Sequence, residues 1–280
     1  MDKIEEIRNK IYSINDTLKP LFKGTCSVSN LCSYIKPEFD EKGQAAKCAL
    51  KGKNNPDYKY YNMSEEEIIQ LWHEKSDISK KYGSLLDDYT SLILNKKSDN
   101  DIMLWKLDHN FDDDLRLKNT CTGAEQFIEW LLSNTNYIFL GREIPMYIQV
   151  GNNKINGRLD ALFYDPNTDA YIIIDWKITE GVSTSNSFNK KLMGPAYMLD
   201  DCDMNVYTAQ LHLYKKALVE TYKLTTYDKI SVYVCNLLRE EVNAKYYKLF
   251  PQNYGFNNIL LEKIINFASM KYNILKQFNK

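Results

Sequence analysis

The sequence lacks any excess of positive charge: 36 Lys and Arg stand against 37 Asp and Glu, for a formal net charge of −1. A protein that coats nucleic acid non-specifically neutralises many phosphates and carries a broad basic footprint. That class is disfavoured here, whereas one basic groove beside an acidic site is not. No run of about 18 apolar residues occurs, so no membrane-spanning helix is expected. The opening segment MDKIEEIRNKIYSI is charged throughout and lacks the apolar core of a secretory signal. The expectation is a soluble protein of the cytoplasm, the host's if the chain is viral. The six cysteines (Cys26, Cys32, Cys48, Cys121, Cys202 and Cys235) form no CxxC pair. This excludes the common zinc patterns and reads as scattered reduced thiols, with a three-ligand set from Cys26, Cys32 and Cys48 as the weaker alternative. Internal repeats and low-complexity tails are absent. With 44% hydrophobic and 26% charged residues, the chain has ordinary globular usage.

What is present is an ordered alternation of periods. Ile4, Ile7, Ile11 and Ile14 recur at helical spacing and predict a helix over residues 1–20. Residues 21–62 show no clear period and read as a small subdomain or irregular cap. Ser64, followed by three glutamates, predicts an N-cap and a helix continuing to about Leu94. The stretch 95–115 reads as a polar exposed connection, and 122–133 as a helix. Residues 137–150, 155–164 and 170–178 are β-prone and separated by turn signals. The unbroken run Ile172–Ile173–Ile174 predicts a strand buried on both faces. A polar loop, a helix over 205–222, a strand over 230–237 and a helix over 258–278 follow. The fold class is α/β, with a central mixed sheet flanked by helices and an added N-terminal helical region. The expected division is an N-terminal helical or irregular region over 1–75 and a core over 76–280.

The chemistry concentrates in two adjacent strands. Asp160 lies in GRLD on one, and Asp175-Trp176-Lys177 ends the next. Residues i and i+2 of a strand share a face, so Asp175 and Lys177 point the same way. If Asp160 joins them, two carboxylates and one ammonium converge. Two carboxylates at a sheet centre repel each other unless a cation compensates them. Mg²⁺ or Mn²⁺ takes such oxygen ligands together with water and phosphate, and the backbone carbonyl of Trp176 is a further candidate ligand. A metal so held activates water, while Lys177 orients that water or offsets charge growing on a phosphate. A bare DxK is common by chance and more often a surface ion pair. Here the apolar run before it and the GxxD on the partner strand favour the functional reading.

The segment GRLDALFYDPNTDAYIIIDWKIT resembles the core of PD-(D/E)XK nucleases, in particular the RecB-like and lambda-exonuclease-like branch. That branch carries a QxxxY motif on the helix after the DxK strand, and Gln210-Leu211-His212-Leu213-Tyr214 stands there. At i,i+4 spacing Gln210 and Tyr214 share one helix face, which in the family looks onto the DNA backbone. The resemblance covers about residues 80–240. It implies a Mg²⁺- or Mn²⁺-dependent DNA nuclease, exonuclease rather than endonuclease, with catalytic residues Asp160, Asp175, Lys177, Gln210 and Tyr214. The family's upstream metal-ligating His is replaced at the nearest match, Gly83-Ser84-Leu85-Leu86-Asp87, by Asp87, which equally reads as a solvated helix charge. Glu143 matches an acidic position frequent in the family; it would ligate metal or hold Lys177, or be only an edge-strand charge. Glu125 and Glu129 are weaker competitors. Cysteines clustered after QxxxY are missing, so no iron–sulfur cluster is expected.

Lys190 and Lys191, in the loop 180–204, are candidate DNA contacts, against the alternative of a disordered linker. His73 and His109 read as exposed, and His212 as facing away from the site. The rival functions are a structure-specific or RNA endonuclease on the same core, and a catalytically idle nucleic-acid-binding protein. The intact Asp160, Asp175 and Lys177 argue against the latter.

Overall fold

The computed structural model describes residues 3–18, 26–151, 153–179, 181–186, 189–237, 247–251 and 258–278. The chain divides into two compact units, residues 38–88 and the remainder.

The larger unit is built on a five-stranded sheet of order β1-β2-β3-β4-β5, formed by Ile138–Val150, Asn153–Asp165, Ala170–Ile178, Ile230–Leu237 and Tyr247–Pro251. β1, β2 and β3 form an antiparallel meander. β4 runs parallel to β3, with Lys177 beside Asn236, and β5 closes the sheet antiparallel to β4. The parallel step requires a crossover, supplied by the helix Asp203–Tyr222. Numbered along the chain, the helices of this unit are α1 (Lys3–Leu18), α2 (Val28–Tyr34), the end of α4 (Glu65–Leu94), α5 (Asp99–Asp108), α6 (Leu115–Asn134), α7 (Asp203–Tyr222) and α8 (Asn258–Phe278). The apolar stripes of α1, α2, α7 and α8 meet one face of the sheet in a single core. α6 covers the other face, where Phe127 packs edge-on against Trp176 with ring centroids 5.5 Å apart. β3 is buried from Tyr171 to Trp176, as the triple-isoleucine run requires. The architecture is the mixed sheet flanked by helices that the sequence predicts.

One irregularity matters for the site. The β1–β2 ladder passes from Arg142↔Ala161 to Ile144↔Leu159 and skips Glu143 and Asp160. Glu143 adopts the left-handed φ of +49°. Before this point Ile155 and Leu159 of β2 enter the core on the α7 side; beyond it Leu162 and Tyr164 do. The alternation therefore shifts by one residue at Asp160.

In the smaller unit, Asp40 caps α3 (Glu41–Gly52) by accepting from Gly43 N at 2.9 Å. Ser64 and Glu67 form the reciprocal capping box that starts α4. Ala45, Ala49, Tyr60 and Ile68 form the core, and Trp72 Nε1 donates to Tyr60 Oη at 2.7 Å.

Three expectations need correction. The polar connection after α4 contains a helix, α5, begun by a Ser98–Asp101 capping box. It buries no residue fully, so it carries no apolar stripe by which to be found. The segment without a clear period over 21–62 contains α2 and α3. β5 is short and was not foreseen.

Candidate active site

β3 carries Asp175 and Lys177 on the α7 side of the sheet, with Trp176 turned to the α6 side as period-two alternation demands. Asp175 is 2% exposed. Its Oδ2 lies 2.6 Å from Lys177 Nζ, yet makes no well-aligned hydrogen bond. Asp160 joins from β2: its Oδ2 accepts the backbone N–H of Trp176 at 2.9 Å. Burial works against the charged form of Lys177, but attraction to Asp175 and Asp160 outweighs it and holds the pKa above the ordinary lysine value. Lys177 therefore remains an ammonium ion, poised over the Tyr207 ring at 5.2 Å.

The helix motif reaches the same place. Gln210 Nε2 donates to Tyr214 Oη at 2.9 Å. Burial raises the Tyr214 pKa, and the nearby Asp175 and Asp160 raise it further, so the phenol stays protonated. The glycine of GRLD explains how the ring gets in. A Cβ on Gly157 would stand 3.0 Å from Tyr214 Cε1 and 3.2 Å from Val28 Cγ2. Glycine lets the tyrosine ring sit close over β2, where a Cβ would be tight against both neighbours.

The other candidates fall as follows. Glu143, with a left-handed backbone on the edge strand β1, pairs with Arg158 at 2.5 Å, whereas Lys177 is paired with Asp175; of the alternatives, the structure shows the edge-strand ion pair. Asp87 lies on α4 in the smaller unit. Glu125 accepts from the Tyr89 hydroxyl. Lys190 is exposed, and its carbonyl accepts from Asp201 N at 2.9 Å. Lys191 is paired with Asp200, which offsets its charge. Positions 180, 187 and 188 of that loop lie outside the described residues; the rest is pinned rather than linker-like, with Ser183 and Asp203 bonded reciprocally and Leu192 and Ala196 buried. His73 is exposed and meets Glu41 at 2.7 Å. His109, expected to be exposed, is half-buried and stacks on Trp105 with centroids 4.4 Å apart. His212 turns away from the site to Tyr227 Oη.

Sequence reasoning missed α2. It is tied to β2 where Asn156 N donates to Cys26 O at 2.9 Å, and to the long loop where Met193 N donates to Ile35 O at 2.6 Å. It brings Val28 against Tyr214 and a buried Cys32 beside Lys177 and Asp175. Burial pushes the Cys32 thiol up to about 12. Asn236 was also missed. It is fully buried beside Lys177 on β4 and accepts from Thr179 N at 3.2 Å, holding the chain as it leaves β3. Its signal was present: it is the one amide in the apolar strand ISVYVCNL.

Among the described residues, no three His, Cys, Asp or Glu side chains gather as a metal cage. The donor set at Asp160 and Asp175 is two carboxylates without imidazole or thiolate. It fits a hard cation such as Mg²⁺ or Mn²⁺ that completes its shell with water and phosphate, and does not fit a structural zinc site.

Comparison with known proteins adds little. No family model matches the chain, and neither does any curated protein. Among solved structures, a candidate exonuclease from Eubacterium rectale matches with a TM-score of 0.43 and 12% identity, over 92% of this chain and 82% of that one. The protein SSO0001 matches with a TM-score of 0.30 and 13% identity, over 55% and 59%. Similarity this low bears on neither activity nor partner. No described helix is long and apolar enough to cross a membrane.

Proposed function

We propose that the chain is a divalent-metal-dependent DNA nuclease of the PD-(D/E)XK type, acting from strand ends. The observation that carries the reading is the convergence of Asp160, Asp175 and Lys177 with the Gln210–Tyr214 pair on one face of the sheet. Asp160 and Asp175 would hold Mg²⁺ or Mn²⁺. When bound, the ion supplies Lewis-acid activation of water and neutralises charge at the phosphate. The Lys177 ammonium then positions the attacking water, or stabilises the added charge on the phosphoryl oxygens. The protonated Tyr214 hydroxyl and the Gln210 amide offer donors to the phosphate backbone. Preference for ends rather than internal bonds follows from the resemblance of the QxxxY segment.

The test uses the full chain with 5′- and 3′-labelled linear duplex, single strands and closed circular DNA, with Mn²⁺, Mg²⁺ or EDTA. The expected result is metal-dependent release of 5′-phosphorylated products from linear DNA, an intact closed circle, and loss of cleavage in Asp175→Ala. Undiminished cleavage by Asp175→Ala overturns the site. No cleavage of any substrate with either metal overturns the enzyme.

A further inference from the structure

A cavity that shares no lining residue with the candidate active site opens at the β1 edge of the sheet. It is about 550 Å³ in volume and lies between α1, the end of α4, the end of α6 and the start of β1, within the size range of small-molecule sites. Two cationic side chains, Arg8 and Lys96, line it. Arg8 Nη2 donates to Phe139 O at 2.7 Å; one contact of this kind orients the planar guanidinium while leaving most of its five donors for another acceptor.

Lys96 is held in an unusual way. It follows α4 in the left-handed conformation, with φ of +51°, where glycine is the less strained choice. Lys96 N donates to Ile93 O and Lys97 N to Leu92 O, both at 3.0 Å. This closure satisfies carbonyls at the helix end that would otherwise oppose an anion. The other lining residues include three aromatics, Tyr12 (56% exposed), Tyr137 and Phe139, together with leucines, an isoleucine and the polar Asn95. Two cations call for an anion, and aromatic walls call for a flat ring attached to it.

We infer that this cavity is a binding site for a nucleoside monophosphate, with Arg8 and Lys96 on the phosphate and the aromatic side chains on the base. The inference does not rest on the nuclease reading. The test is calorimetric titration of the full chain in EDTA with thymidine 5′-monophosphate, adenosine 5′-monophosphate, thymidine and inorganic phosphate. The expected result is one-to-one binding of at least one nucleotide, with thymidine and phosphate each at least about tenfold weaker, since each lacks one half of the recognition. Lys96→Gln, at an exposed position, should weaken nucleotide binding at least about tenfold at an unchanged melting temperature. Arg8→Gln should do the same, with its fold checked by circular dichroism because it also holds Phe139. Asp175→Asn should leave binding unchanged. Failure of both nucleotides to bind, phosphate binding as tightly as nucleotide, or unchanged binding by Lys96→Gln each overturns the proposal. So does loss of binding in Asp175→Asn, which would place the ligand in the sheet site instead.

Discussion

The Asp175–Lys177 pair can be tested for what it does to folding as well as to cleavage. Removing one partner of a buried ion pair costs about 3–5 kcal/mol, because the survivor is left uncompensated. Lys177 keeps 22% side-chain exposure and also feels Asp160, so Asp175→Asn should fall short of that range, at about 2 kcal/mol. Lys177→Gln is worse: Asp160 and Asp175 then face each other with no cation, and the cost should reach about 3 kcal/mol. The double variant keeps one carboxylate and no stranded ammonium, so it should be less destabilised than the sum of the two by about 2 kcal/mol. Urea unfolding followed by circular dichroism, without divalent ions, measures all four proteins. Each kcal/mol should also appear as about 2 °C in melting temperature for a chain of this size. Mn²⁺ should stabilise Lys177→Gln more than the parent, with about 2.7 kcal/mol in the variant at a hundredfold excess over the variant's own dissociation constant. Single-variant costs that add within about 0.5 kcal/mol would refute the reasoning, since they would mean that the two groups do not interact.

Gly157→Ala should destabilise by about 1–2 kcal/mol through overpacking against Tyr214 and Val28 and lower any cleavage rate; an unchanged melting temperature would remove the steric account of GxxD. Asp169 is held below the usual carboxylate range by hydrogen bonds from Lys3, Lys229 and Tyr164. Its folded pKa is depressed, so its stabilisation is present above the ordinary carboxylate pKa and lost as pH falls through the folded value. Asp169→Asn should therefore melt below the parent at neutral pH and converge with it in acid, as thermal scans across pH would show. Burial pushes the Lys215 ammonium below its ordinary pKa, with Asp228 opposing. Replacing it by Met removes a buried charge and a contact over the Tyr227 ring at 4.2 Å; the two changes should nearly cancel, leaving stability within about 1 kcal/mol by urea titration.

Some of this was legible without a structure because it depends on near neighbours. The isoleucine run of β3, the turn at Asp165–Asp169 and the i,i+4 pair Gln210 and Tyr214 are each set by local period and turn chemistry, and all appear where expected. α5 and α2 escaped because neither carries an apolar period long enough to read. The sequence alone determined the mixed sheet, the DxK strand and the common face of Asp175 and Lys177, since alternation along a strand needs no partner. Only the tertiary structure decided that Asp160 joins them. That depends on a shift in alternation opposite a left-handed Glu143, a relation between two strands that neither encodes separately. The tertiary structure also decided that Glu143 goes to Arg158, that α2 packs over Tyr214, and that Arg8 and Lys96, 88 positions apart in the chain, line one cavity. Contacts between segments so far apart are set by packing, and no local period records them.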